Sequence, residues 1–286
     1  MFRRPSAEER RAARRAQREA AHASARARGE TSMTRVPTEG LGTGGILRAV
    51  VDKIREVAPD TRGDYLDVGS GNGELIDRVL RAFPVKARAC DYRGDLLAVE
   101  GVTVEVANLN TDPLPYPDAS FDLVTCTEVI EHLEHYRAAL REMARVLRPG
   151  GVLVVSTPNV LNVRSRLRYL LFGFFNMFGP LRLEDERHHS THGHINPVAY
   201  FYLAHALSGA GFAEISVSVD KHQRRSLVAL ALLWIPIRIF SALAVKRERE
   251  KRHTVDDHNE PFVAAMNTND MLLGRTIVVG CRKSPL

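Results

Sequence analysis

Only three of the 286 residues are cysteine, Cys90, Cys126 and Cys281, and no two stand in a CxxC spacing or any other pairing pattern. A disulfide framework is thereby excluded, and each cysteine, set in or at the end of an apolar β-like run, reads as a reduced strand residue in a cytosolic compartment. The N-terminus has basic residues but lacks the apolar stretch of about 7 to 15 residues that a secretory signal carries behind them. No internal repeat is visible. Aromatic residues make up 7% of the chain, with a single Trp. In the central region none interleave with basic residues as single-stranded nucleic-acid binding requires.

What is present is ample apolar content, 44% hydrophobic against 26% charged, enough for one large α/β core with appendages. The net charge of +6 and pI near 9.4 are unevenly spread. Arg3, Arg4, Arg10, Arg11, Arg14, Arg15, Arg18, Arg26 and Arg28 all lie in the first 30 residues. Such an arm is attracted to anionic lipid or nucleic acid, although a solvated Ala/Arg helix over Pro5 to Ala27 explains the composition equally well. Residues 1–44, ending in a Gly/Thr/Ser-rich linker, are therefore set apart from a core that opens on a helical pattern, Ile46 to Val57.

From there short apolar runs alternate with helical patterns. Strands are expected at Tyr65–Val68, Ala87–Cys90, Val102–Val106, Phe121–Cys126 and Val152–Ser156, with helices at Glu74–Ala82 and Tyr136–Leu147. Later come a helix at Tyr200–Gly211 and strands at Ile215–Val219 and Thr276–Cys281. Alternating strands and helices imply right-handed crossovers and a doubly wound, mostly parallel sheet, with its ligand at the carboxyl ends of the strands.

The first strand runs into Asp67-Val68-Gly69-Ser70-Gly71-Asn72-Gly73-Glu74. Alternating glycines turn the chain tightly and leave bare backbone against a ligand. A dinucleotide fingerprint would place its third glycine at position 74, where Glu74 instead sets a carboxylate at the helix N-terminus that a pyrophosphate would occupy. The loop therefore suits a ligand without phosphates. About 20 residues on, Asp91 ends the second strand, where a carboxylate accepts hydrogen bonds from ribose hydroxyls.

DVGSGNG at 67–73, Asp91, NLNTDPLPYPDASFDLVTCTEVIEHL at 108–133 and REMARVLRPGGVLVVSTPN at 141–159, in this order and at these separations, resemble the class I S-adenosylmethionine-dependent methyltransferases of the type 11/23 kind. The resemblance implies a Rossmann-like α/β fold, a seven-stranded mostly parallel sheet with an antiparallel last strand. It also implies S-adenosyl-L-methionine as cofactor. Asp67, Gly69, Gly71 and Gly73 would line its methionine end and Asp91 its ribose, with Asn108, Leu109 and Thr127 completing the cofactor contacts. Asn108 stands where the family usually has an Asp that accepts from the adenine amino group; an amide oxygen can still accept, without charge assistance.

Methyl transfer to a hydroxyl or amine needs a base, and histidine suits the task. Glu128, Glu131 and His132 fall at i, i+3 and i+4, on one face if that segment is helical. The similarity to quinone-type O-methyltransferases implies that such a set could hold a divalent, magnesium-type ion. Otherwise His132 acts as base, or the set only lines the cofactor. A second source is the loop Glu186–His194, with four histidines in seven residues. There the resemblance favours His189 or His192 as a base or acceptor-orienting group over a merely solvated loop.

Leu227 to Val245 is an almost continuous apolar run of bilayer-crossing length, with Pro236 and Arg238 near its middle and basic residues at both ends. A crossing would bury Arg238 and pull apart a pair of strands that belong to one sheet, so a helical hairpin broken at Pro236 and lying at a membrane surface is expected, or else a buried helix pair. The organisation is then a methyltransferase domain at 45–223 and 272–286 around a helical, apolar and basic insertion at 224–271. A second apolar stretch, 169–178, reads as a lid over the acceptor or a lipid contact. The expected activity is methyl transfer to a lipid-like, quinone or lipid-linked glycan acceptor, in the cytoplasm or at the cytoplasmic face of the membrane. Its rivals are a soluble enzyme with a buried insertion and a non-catalytic nucleic-acid module.

Overall fold

The computed structural model describes residues 44–181 and 193–285. Helix α1 (Gly44–Val57) precedes β1 (Gly63–Val68), α2 (Glu74–Ala82), β2 (Val85–Asp91), β3 (Val104–Val106) and β4 (Phe121–Thr127). After a 3-10 turn at Ile130–His132 come α3 (Tyr136–Val146), β5 (Leu147–Pro158), α4 (Val163–Phe172), α5 (Tyr200–Gly209) and β6 (Phe212–Val219). The chain ends with α6 (Leu227–Arg247), α7 (Glu260–Ala265), α8 (Asn269–Leu273) and β7 (Thr276–Lys283).

The seven strands lie in the order β3-β2-β1-β4-β5-β7-β6. β1 pairs in parallel with β2 and β4, and β4 with β5. β7 is inserted antiparallel between β5 and β6. The sheet is the one expected. The order reverses between β1 and β4, and the carboxyl ends of those strands meet the glycine loop.

Central strands covered on both faces are rich in apolar residues, and the alternation of their side chains builds two cores. Leu123, Val152 and Val154 pack with Ile46, Val50 and Ile54 of α1 and Ile76 and Val79 of α2 on one face. Val124, Cys126, Leu153 and Val155 pack with Leu140, Met143 and Leu203 on the other. Helix α1 reaches this layer because its apolar residues recur at three- and four-residue spacing, the helical period. All three cysteines are buried in the sheet, and burial pushes the Cys90 thiol up to about 12.

The insertion departs from expectation. Leu227 to Arg247 is one continuous helix that includes Pro236, not a hairpin broken there, and not a buried pair, since only 6% of its apolar window is buried. Proline removes one amide donor and crowds the preceding turn, yet the helix runs through it. The basic arm at 1–43 and the histidines His188, His189 and His192 lie outside the described residues.

Candidate active site

The end of β1, the glycine loop and the end of β2 form one hydrogen-bonded corner. Gly69 N–H donates to the Cys90 carbonyl at 2.7 Å, and Gly71 N–H donates to Asp91 Oδ2 at 2.8 Å. The other oxygen, Oδ1, accepts from Arg93 N–H at 2.9 Å. Asp91 thus sets the loop before any ligand arrives. Gly69 and Gly71 have φ of 76° and 52°, conformations that disfavour side chains. A Cβ on Gly69 would overlap Val129, whereas one on Gly71 would meet nothing within 4 Å, so at Gly71 the backbone faces an open cavity.

That cavity, with about 1250 Å³ of non-protein space up to its open mouth, is lined by Asp67, Gly69, Gly71, Asp91, Asn108, Leu109 and Thr127. Leu96 and Leu109 offer apolar surface for a base, Asp91 an acceptor for a diol, and Asp67 with Thr127 polar groups deeper in. The residues fit an adenosyl ligand with a methionine end. Gly73 does not line the cavity: it is the left-handed N-cap of α2 at φ 81°, and a Cβ there would strike Val99 and Leu97. Its role is to turn the chain. Glu74 lines the cavity and pairs with Arg78 at 2.8 Å, so the helix N-terminus carries a carboxylate rather than a place for phosphate. Asn108 Oδ1 accepts from Asn110 N–H at 3.1 Å, a local turn that leaves one lone pair for a ligand.

Asp67 is buried below the loop. Thr125 Oγ1 donates to Asp67 Oδ1 at 2.6 Å, and Tyr65 Oη lies 2.8 Å from the same Thr125 hydroxyl. Since the threonine proton is directed at Asp67, the tyrosine must be the donor in the second bond. Burial raises the Asp67 carboxyl to about 7; the Thr125 bond opposes this and the Asp91 charge adds to it.

The far wall is built by residues after β4, which are not helical as a set. Glu128 is left-handed, with φ 55°, and only Ile130–His132 form a 3-10 turn. Glu128, Glu131 and His132 consequently do not share a helical face. The Glu128 carboxylate turns to Ser156, whose hydroxyl donates to Oε1 at 3.0 Å. Glu131 is fully buried, with Oε2 accepting from Thr157 at 3.1 Å and Oε1 without a partner among the described residues. Burial raises both carboxyls, and the Glu128 charge raises Glu131 further.

The Glu131 carbonyl accepts from both Ile195 N–H and Asn196 N–H at 2.9 Å. This fixes His194 beside the turn. The His132 and His194 rings meet edge to face at 4.8 Å, and Phe178 backs His194 at 5.2 Å. His132 Nδ1 lies 2.9 Å from the Gly193 carbonyl. A carbonyl only accepts, so Nδ1 carries the hydrogen and Nε2 keeps its lone pair. His132 also lines the cofactor cavity. Burial lowers both imidazoles, His194 to about 4 with His132 contributing. Among the described residues the donors able to hold a cation are Glu131, His132 and His194, whose ligand atoms lie within 4.8 Å of one another. His194 takes the place expected for Glu128. The sequence counted His194 among four clustered histidines but held no sign of which one the Glu131 carbonyl would fix. Ser156 and Thr157 were also missed; a switch from Val154-Val155 to Ser156-Thr157 at a strand's carboxyl end was their signal.

A doubly wound sheet with a glycine loop locked to an acidic strand-two terminus, and a carboxylate where phosphate would sit, defines an adenosyl-binding α/β protein. A family model described as a methyltransferase domain matches residues 45–217. The chain belongs to that family, and its cofactor is S-adenosylmethionine. It is 45% identical over 107 residues to a probable S-adenosylmethionine-dependent methyltransferase of Mycobacterium tuberculosis, covering 35% of this chain and 37% of that protein. It is 37% identical over 120 residues to 27-O-demethylrifamycin SV methyltransferase of Amycolatopsis mediterranei, covering 37% and 43%. It is 37% identical over 97 residues to a ubiquinone/menaquinone biosynthesis C-methyltransferase of Bartonella tribocorum, covering 30% and 37%. These matches span well under half of each relative. A solved methyltransferase from Archaeoglobus fulgidus superposes with a TM-score of 0.51 at 14% identity, covering 83% of this chain and 94% of that one, a likeness of fold alone.

Proposed function

We propose that this protein transfers a methyl group from S-adenosylmethionine to a hydroxyl or amine of a lipid-like acceptor, a quinone or lipid-linked glycan among the candidates. The observation that carries the acceptor class is the apolar helix α6, which the domain leaves exposed: Leu232 is 75% and Phe240 69% accessible. It packs on α4, which itself exposes Leu170, Leu171 and Phe172. One relative is named for 27-O-demethylrifamycin SV, in keeping with an oxygen acceptor, and another, a C-methyltransferase, for quinone biosynthesis, which supports the quinone class and not the atom methylated. The rival reading with a buried insertion has no support in α6.

When bound, the cofactor supplies a methyl group on a positively charged sulfur. The chain's own residues hold the ribose at Asp91, orient the acceptor and take its proton at Nε2 of His132, the lone pair that the Gly193 bond leaves in the ring. Incubation with radiolabelled S-adenosylmethionine and separate organic and aqueous extracts of bacterial cells tests this. Label is expected in the organic phase, at least tenfold reduced by His132→Ala. Label confined to aqueous products would overturn the acceptor class.

A divalent ion at Glu131, His132 and His194 is the alternative use of the same donors, because coordination would occupy Nε2. Thermal melts with and without Mn2+ separate the two. A rise in Tm that His194→Ala removes and Glu128→Ala leaves selects the ion; no rise leaves His132 as the base.

A further inference from the structure

We propose that α6 is an in-plane membrane helix, seated in the interfacial layer of an anionic bilayer with its axis along the surface. The proposal deepens the lipid-like reading of the acceptor by naming the surface at which the protein works. At about 100° per residue, Leu230, Leu233 and Ile237 form one stripe, and this stripe packs on Val163, Leu167, Leu272 and Leu273 of the domain. The opposite stripe holds Val228, Leu232, Ile235, Ile239 and Leu243, accessible by 73%, 75%, 62%, 53% and 58%. A helix at the edge of a water-soluble domain is polar on that outer face. A continuous apolar stripe along 21 residues is instead an interaction surface.

A crossing orientation fails on the contacts along the helix. The returning chain runs back beside α6: Trp234 Nε1 donates to Asn269 Oδ1 at 3.2 Å, Asn267 Nδ2 donates to Ser241 Oγ at 2.6 Å, and Arg249 pairs with Glu260. If α6 crossed, this segment, with Asp256, Asp257 and Glu260, would enter the hydrocarbon too. Both ends of the insertion also return to one hairpin, where Val219 of β6 pairs with Ile277 of β7.

The charges complete the case and choose the lipid. Arg224 and Arg225 precede the helix, Arg247 ends it, and all three lack an acidic partner within 4.0 Å among the described residues. Arg238 sits on the flank between the docked and outer stripes, its guanidinium 5.6 Å from the Trp234 ring. In plane, that flank lies at headgroup depth, where Arg and Trp are at home, so Arg238 is not buried in hydrocarbon. Cations at both ends and on the flank favour anionic headgroups.

Trp234, the single tryptophan, is a built-in depth gauge. The full chain, without cofactor or acceptor, is mixed with phosphatidylcholine/phosphatidylglycerol vesicles whose chains carry bromine near the headgroup or near the terminus. The expected result is a blue shift with stronger quenching by the shallow bromines, several-fold weaker with phosphatidylcholine alone. A Leu232→Lys/Ile235→Lys variant should keep its circular dichroism and bind vesicles at least tenfold more weakly. No quenching with any vesicle, stronger quenching by the deep bromines, equal binding to neutral vesicles, or a lipid-free dimer that the double variant dissociates would each overturn the proposal. Methyl label in the organic extract is scored separately, so loss of vesicle binding and loss of the acceptor reading are distinct results.

Discussion

Asp91 ties the end of β2 to the glycine loop through one side chain. Its two oxygens accept from Gly71 and Arg93 amides, so the carboxylate proposed to hold the ribose also closes the glycine loop. Asp91→Ala is expected to abolish the thermal shift that S-adenosylhomocysteine gives the wild type, which at a hundredfold excess over Kd corresponds to ~2.7 kcal/mol; a differential melt with and without the ligand reads it. Asp67 gives a prediction about pH. Burial holds its folded carboxyl near 7, above the unfolded value of about 3.9. A raised carboxyl binds its proton more tightly when folded, so its contribution is fully present below about pH 4 and lost as the pH rises through 7. Without cofactor, the wild type should therefore lose stability relative to Asp67→Asn between pH 4 and 8, by up to ~4 kcal/mol. Chemical denaturation across that range checks it, and parallel profiles for the two proteins would refute the assignment. That Asp67, Gly69, Gly71 and Asp91 come together at one cavity was legible because their spacing is set within short stretches of chain. His194 was not, because its place depends on two backbone bonds to the Glu131 carbonyl, 64 and 65 residues away.

At the scale of elements, strands and helices followed from local pattern: β4 buries Phe121, Leu123, Val124 and Cys126 because both its faces are covered. Boundaries slipped where pairing extends a strand past its apolar centre, as at β5, which starts at Leu147 rather than Val152. The segment Glu128–His132 misled for a different reason. Carboxylates and histidine at i, i+3 and i+4 suit a helix, but the chain leaving β4 takes a left-handed step at Glu128, so the spacing lost its meaning. Pro236 misled in the opposite direction: it suggested a break, and the helix runs through it. The two faces of α6 should answer substitution differently. Leu230, 8% accessible and packed on α8, is expected to cost about 2–3 kcal/mol as Leu230→Ala. Leu232→Lys, on the opposite face, should stay within about 0.5 kcal/mol. Urea unfolding of both variants checks the pair, and equal losses would mean that the outer stripe is packed.

For the whole molecule, the cofactor cavity and the apolar helix belong to different regions of one sheet. The cavity is lined by residues between Leu47 and Leu133, at the carboxyl ends of β1, β2 and β4, whereas α6 is inserted between β6 and β7 at the opposite edge. The parallel half of the sheet follows a pattern legible in the sequence. The antiparallel edge was legible only as two strands flanking an apolar run, because whether such a run packs inward or faces out depends on surfaces that no local pattern records. This division predicts that ligand binding and surface binding separate, since the residues lining the cavity and those of the α6 surface are different ones. Leu232→Lys/Ile235→Lys should bind S-adenosylhomocysteine with wild-type affinity by calorimetry while losing vesicles, and Asp91→Ala should lose the ligand while keeping vesicle binding. Loss of both functions in either protein would instead mean that α6 and the glycine loop are coupled through the sheet. In that case the surface would regulate the site rather than merely bring it to its acceptor.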